Sequence, residues 1–262
     1  MRVVNVNYKH KHDLEPTAPY NAYYPWDWQH HWSYYVVYLS QSFAGWHAVS
    51  AQVALDLLLC ATATQLIMHY DHIARTLEKC KPKFAEAREN TKGPHLARVA
   101  MELRLFDEDK RYIAGVVAYH VEVLRLSDLM NDFFGVSLFI NLFTSSAIIC
   151  FLGFQITVSR ELDFTIKLAV FFVVSLMQVF LICHFAQQLI DSSTNVVKAV
   201  QFHEWTQAEV RYQKMLVLIT ARAQRPAYLN ATSLWPISRE TITYIMKLSY
   251  KIFALIRTMY YD

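Results

Sequence analysis

The sequence predicts an all-α membrane protein with about four transmembrane helices, and three observations carry that prediction. The 262 residues are 54% hydrophobic and only 18% charged, where an average soluble domain has roughly 25% charged residues. The charges are also clustered: no Asp, Glu, Lys or Arg occurs between Asp27 and Asp56, between Asp132 and Arg160, or between Lys167 and Asp191. Each stretch meets or exceeds the roughly 20 apolar residues that a helix needs to cross the hydrocarbon core. Finally, five glycines and long apolar runs argue against a β-barrel, whose strands are about ten residues long and alternate in polarity.

Other classes fall away on the same grounds. A net charge of +3 with dispersed basic residues offers no continuous positive surface, so no nucleic-acid partner is expected. Cys60, Cys80, Cys150 and Cys183 show no short pair spacing, which argues against a disulfide framework and a Cys-based zinc site. His10, His12, His30 and His31 have no flanking carboxylate or Cys at ligand spacing, so no metal is expected either. No HExxH, GxSxG or GxxxxGK[ST] occurs, and neither an enzyme nor a cofactor is predicted. The polar run Arg2 to His12 lacks the apolar core of a signal peptide.

Residues 1–31 read as an extracellular loop, because Pro16, Pro19 and Pro25 break helices. Tyr20, Tyr23, Tyr24, Trp26, Trp28 and Trp32 give it an aromatic belt of the kind found at membrane interfaces. Residues 32–190 hold three transmembrane helices. The first spans about Trp32 to Leu59 and continues beyond the membrane to about Leu77. A basic loop over 71–132 is cytoplasmic by the positive-inside rule, and Val117, His120, Val121, Leu124 and Leu129 recur at helical spacing in its second half. The second span covers about Phe133 to Thr157 and the third about Leu168 to Ile190, joined by a short external link. Residues 191–231 form a cytoplasmic amphipathic anchor helix that Pro226 should end. Residues 232–262 form the last transmembrane helix, a weaker span that carries Arg239, Glu240, Lys247, Lys251 and Arg257 and therefore faces water or partners. Both chain ends then lie outside, and the sequon Asn230-Ala231-Thr232 falls on the cytoplasmic side.

Several residues carry a family resemblance. Pro19-Tyr20 with Tyr23-Tyr24-Pro25-Trp26-Asp27 resembles the stretch before the fourth membrane helix of insect odorant receptors. Tyr38 and Gln41 fit the family's Y..Q pattern, and Asp56 and Gln65-Leu66 are similar to its recurring Asp and Gln-Leu. His120-x-x-x-Leu124 to Leu129, Ala199 through Trp205, Met215 to Pro226 with Ala231, and Ser249-Tyr250 through Arg257 resemble its later segments and closing helix pair. The match covers nearly the whole chain from Pro19 onward and corresponds to spans four to seven, with three preceding helices expected in longer members.

The resemblance implies a subunit of an odorant-gated, nonselective cation channel in the plasma membrane of sensory neurons. The implied partners are a small volatile organic ligand and an odorant co-receptor (Orco) in a hetero-tetramer. The alternatives are a nonfunctional or partial receptor, or another membrane transporter or receptor class.

Tyr35, Tyr38, Ser42 and Trp46 fall at i, i+3, i+7 and i+11, one face of the first helix, and give the apolar lining with a polar handle that a volatile ligand needs. Phe171 and Ser175 are similarly placed on the third span. The pore candidates are Phe253, Ile256 and Arg257 on the last helix, where a displaced ring of apolar side chains would admit cations. Trp205, Met215 and Leu218 are the expected subunit contacts. Asp56 is expected to serve as a structural hydrogen-bonding group.

Overall fold

The computed structural model describes residues 19–20, 22–26, 32–80, 83, 95–159, 162–206, 208–232 and 235–261. The histidines at 10, 12, 30 and 31 and most of the expected extracellular loop lie outside them. Among the described residues the elements in order are α1 (Trp32–Lys79), α2 (His95–Val158), α3 (Leu162–Phe202), α4 (Val210–Ala223), β1 (Leu229–Ala231), β2 (Trp235–Ile237) and α5 (Arg239–Tyr261). Among the described residues, α1, α2 and α3 are long and apolar enough to cross a membrane. At 48, 64 and 41 residues they are also about twice or more the length a crossing needs, so each continues well past its apolar window. The 23-residue α5 is not one of the three, because Lys247, Lys251 and Arg257 interrupt its apolar residues.

The chain divides into two compact units, Met1–Leu57 and Leu58–Asp262. In the first, Gln41 fastens the Pro- and Tyr-rich segment to α1. Its side-chain amide donates to the Tyr24 hydroxyl at 3.0 Å, and its oxygen accepts the backbone N–H of Tyr20 at 3.0 Å. Gly45 leaves room for the Tyr20 ring, since a Cβ there would meet the Tyr20 hydroxyl at 2.5 Å.

In the second unit the core is a set of heptad-spaced seams. The buried face of α1 steps through Leu59, Ala63, Leu66, Tyr70, Ile73 and Leu77, in intervals of four and three. On α2 the same rhythm runs through Ile113, Val116, His120, Val123, Ser127 and Met130, and on α3 through Ser175, Val179, Ile182, Ala186 and Leu189. A repeat averaging 3.5 residues keeps one stripe facing its neighbours along a helix, the geometry of knobs-into-holes packing. α4 joins with Tyr212, Leu216, Ile219 and Ala223, and α5 with Thr241, Ile245 and Ser249.

Three sequence expectations are corrected here. The helical spacing proposed for the second half of 71–132 is right in kind, but the buried stripe passes through His120 and Val123, leaving Val121 and Leu129 exposed. The anchor region is not one helix over 191–231: residues up to Phe202 extend α3, and α4 is separate. The last helix starts at Arg239 instead of Thr232, because residues 229–237 form an antiparallel hairpin pairing Leu229 with Ile237 and Ala231 with Trp235. Ser238 then caps α5: its hydroxyl accepts the Glu240 N–H at 3.3 Å, while Thr241 Oγ1 accepts the Ser238 N–H at 3.0 Å.

Candidate functional site

Tyr35 and Trp46 are 67% and 75% exposed, Tyr38 is also exposed, and Ser42 is half-buried on α1. Tyr34 lies beside two of them, with its ring centroid 5.5 Å from that of Tyr35 and 5.9 Å from that of Tyr38. Tyr35, Tyr38 and Trp46 therefore form a largely uncovered aromatic face. Phe171 is exposed on α3, and Ser175 is buried with its hydroxyl donated to the Phe171 carbonyl at 2.9 Å, which leaves its oxygen as an acceptor only. Asp56 is half-buried and accepts from the Gln52 amide at 3.4 Å.

Near the ends of α1, α3 and α4, away from the apolar windows, a buried polar cluster ties three elements together. His203 Nδ1 lies 3.0 Å from the Leu77 carbonyl and Nε2 lies 2.8 Å from the Tyr212 hydroxyl. A carbonyl can only accept, so Nδ1 carries the proton and Nε2 accepts from Tyr212. The Cys80 thiol sits 3.8 Å from the same hydroxyl and completes the chain. Burial pushes the His203 pKa below its usual value, partly offset by the Leu77 carbonyl, and burial pushes the Tyr212 pKa up. Both groups are therefore neutral. On the neighbouring helix Tyr70 reaches Ser127 at 3.1 Å, and burial lowers His120 to about 4. Lys83 extends the ties, pairing with Glu108 at 3.0 Å and giving its N–H to Asp109 at 3.2 Å.

A second junction holds the hairpin between α4 and α5. The Asn131 amide donates to the Tyr228 carbonyl at 2.9 Å and its oxygen accepts the Asn230 N–H at 3.0 Å. The Gly135 carbonyl accepts the Thr232 N–H at 3.1 Å, and a Cβ at Gly135 would approach the Asn230 oxygen to 3.3 Å. Thr232 has φ 63°, a left-handed conformation that a β-branched residue adopts only under constraint. Beyond this junction α5 lies against α2, with Ser249 Oγ 3.4 Å from the Ser146 carbonyl. Phe253 and Ile256 are half-buried and lie four and seven residues past Ser249, continuing the packed stripe, while Arg257 is exposed.

Of the expected subunit contacts, Met215 packs against the core of its own unit, whereas Trp205 and Leu218 are exposed. Trp205 lies in the turn between α3 and α4, where its carbonyl accepts from Gln213 at 3.2 Å. Asn131, Gly135 and His203 were missed by sequence reasoning. The Gly135 carbonyl and the Asn131 amide act across about a hundred residues of chain, so no local pattern marks them.

The seven-transmembrane odorant receptor family model matches residues 2–250. The chain belongs to the insect odorant receptor family. This receptor chain is 42% identical over 244 residues to odorant receptor 85c of Drosophila melanogaster, covering 93% of the chain and 58% of that protein. It is 42% identical over 242 residues to odorant receptor 85b of the same species, covering 92% and 57%. The chain thus spans a little over half the length of the curated relatives it matches. Among solved structures, the olfactory receptor OR5 from Machilis hrabei in complex with eugenol superposes with a TM-score of 0.70 at 14% identity, over 91% of this chain and 56% of that one. That likeness shows a shared all-α fold, and the odorant receptor family is not an enzyme family.

Proposed function

We propose that the chain works as a subunit of an odorant-gated, nonselective cation channel, beside an odorant co-receptor in a hetero-tetramer of the plasma membrane of sensory neurons. The observation that carries the reading is 42% identity to odorant receptors over nearly the whole chain. In this reading Tyr35, Tyr38, Ser42 and Trp46 on α1 are volatile-ligand-binding residues, and so are Phe171 and Ser175 on α3. Phe253, Ile256 and Arg257 sit near the pore, and Trp205, Met215 and Leu218 near subunit contacts.

The α5 helix supports this role through its two-sidedness. One stripe, Thr241, Ile245 and Ser249, is buried, and the other carries Tyr244, Lys247, Tyr250 and Lys251 uncovered. A helix with charges and aromatics on its free face suits a water-filled passage or a neighbouring subunit better than lipid.

Calcium entry in cells expressing this chain, with and without an insect odorant co-receptor, tests the proposal over a broad odour panel. An odour-evoked response that needs both chains is expected. Silence, with surface delivery verified and a full-length receptor responding normally, would refute the channel role for this chain.

A further inference from the structure

Among the 262 residues, a Ser or Thr followed three positions later by Asp or Glu occurs once, at Thr206-Gln207-Ala208-Glu209. Ahead of an amphipathic helix that spacing ordinarily makes a capping box, in which the Thr side chain caps the helix and the Glu reaches back to it. The structure excludes that role. α4 begins at Val210, and Glu209 stands at its N-cap with no side-chain cap bond. The Thr206 hydroxyl has no hydrogen-bond partner among the described residues.

Thr206 is exposed in the turn that joins α3 to α4. The Gln213 amide stitches this turn through its backbone, donating to the carbonyls of Trp205, Thr206 and Ala208 at 3.2, 3.4 and 3.1 Å. The Thr206 side chain is left to solvent.

The turn also stands clear of the bilayer. From Asp191, which ends the charge-free stretch of α3, to Phe202 is roughly 16 Å at 1.5 Å per residue, beyond the about 5–8 Å of headgroups on each face. His203 meets the Leu77 carbonyl at 3.0 Å and Tyr212 lies 3.8 Å from Cys80, so the turn sits beside the end of α1, on the side of the basic 71–132 region. The positive-inside rule predicts that this side is cytoplasmic, where ATP and soluble kinases are found. Glu204 lies two residues before Thr206 and Glu209 three after it. A hydroxyl between those carboxylates suits a kinase with a basic substrate groove, since kinases select substrates by charge pattern.

We propose that Thr206 is phosphorylated by a cytoplasmic acidophilic serine/threonine kinase, with Glu209 as the recognition carboxylate. The γ-phosphoryl group of Mg-ATP passes to Thr206 Oγ1: the new P–O bond forms at the hydroxyl oxygen, the bond to the ADP oxygen breaks, and the kinase's catalytic Asp takes the hydroxyl proton. The product carries about −1.5 to −2 charge beside the exposed Trp205, which makes that indole costlier to bury against another protein. The modification needs no odorant and stands apart from the channel reading.

Trypsin isolates the site, because Lys198 and Arg211 bound a peptide, Ala199–Arg211, in which Thr206 is the one Ser, Thr or Tyr. In the test, the whole chain in nanodiscs is incubated with Mg-ATP and casein kinase 2, and chain made in insect cells is isolated with phosphatase inhibitors. Mass spectrometry is expected to find one phosphate on this peptide in both preparations. Glu209→Gln, which keeps the shape and removes the charge, should slow the nanodisc reaction at least about tenfold, the worth of a hydrogen bond to a charged group. An unmodified peptide in either preparation, or a rate indifferent to Glu209→Gln, would overturn the proposal.

Discussion

At the scale of the residue, a few polar side chains do what apolar burial cannot, which is to fix which groups meet. Asn131 supplies both a donor and an acceptor to the hairpin backbone, so Asn131→Ala removes two hydrogen bonds at once. With each worth a net of about 0.5–1.5 kcal/mol, a loss of about 1–3 kcal/mol is expected, read as a lower melting temperature in detergent and faster amide exchange over residues 228–232. His203 and His120 give a pH dependence with a definite sign. Both pKa values are lowered on folding, so the unfolded chain binds more protons as the pH falls. Their contribution is complete above the ordinary histidine value of 6.5 and is lost as the pH approaches the folded values, about 4 for His120. Leu77, Cys80, Tyr212 and Glu204 bear on His203, and Tyr70 and Arg222 bear on His120; Asp109 acts on Cys80 and Tyr212, and Asp128 on Tyr70. Thermal unfolding followed from neutral pH down to about 5 should show falling stability, and His203→Asn should flatten the slope.

At the scale of the element, the hairpin between α4 and α5 is where local preference and tertiary demand disagree. Thr232 at φ 63° is held by its N–H bond to Gly135 and by the antiparallel pairing of its neighbours. Thr232→Asn, which tolerates the left-handed region, is expected to stabilise the fold by about 1 kcal/mol, the low end of the cost of such strain. A chemical-denaturation midpoint that fails to rise would show that the Thr side chain compensates for its backbone. The helices beside the hairpin were easier to read, because a stripe such as Leu59, Leu66, Tyr70, Ile73 and Leu77 repeats along the chain itself. A three-residue strand has no room for a period, and the Trp235-Pro236-Ile237 run reads as apolar helix until its pairing with Leu229–Ala231 is seen.

At the scale of the whole molecule, the apolar windows of α1, α2 and α3 are only 17%, 33% and 22% buried within the chain. So much uncovered apolar surface must face lipid or further protein, which agrees with a family member that matches a little over half the length of its relatives. Topology makes a separate prediction. Asn230 sits in β1, with its N–H given to Asn131, and the positive-inside rule predicts that the side carrying the basic 71–132 region is cytoplasmic. The sequon should stay unmodified, so N-glycosidase treatment of chain made in insect cells should leave its gel mobility unchanged. A shift would place the hairpin outside and invert the orientation.

The amino-acid sequence by itself determined the all-α membrane class and the family, and it marked the three helices that are long and apolar enough to cross a membrane while counting the charged α5 as a fourth, since charge-free length and local motifs are properties of neighbouring residues. It also indicated that the helix beginning near Trp32 runs on to about Leu77, and α1 ends at Lys79. Only the tertiary structure decided which face of α2 is buried, how His203 joins α1 to α4, and that a hairpin clasped by Asn131 and Gly135 precedes α5. Each of these depends on partners brought together from distant parts of the chain, and a helical period sets how often a residue faces its neighbour without setting which neighbour it meets.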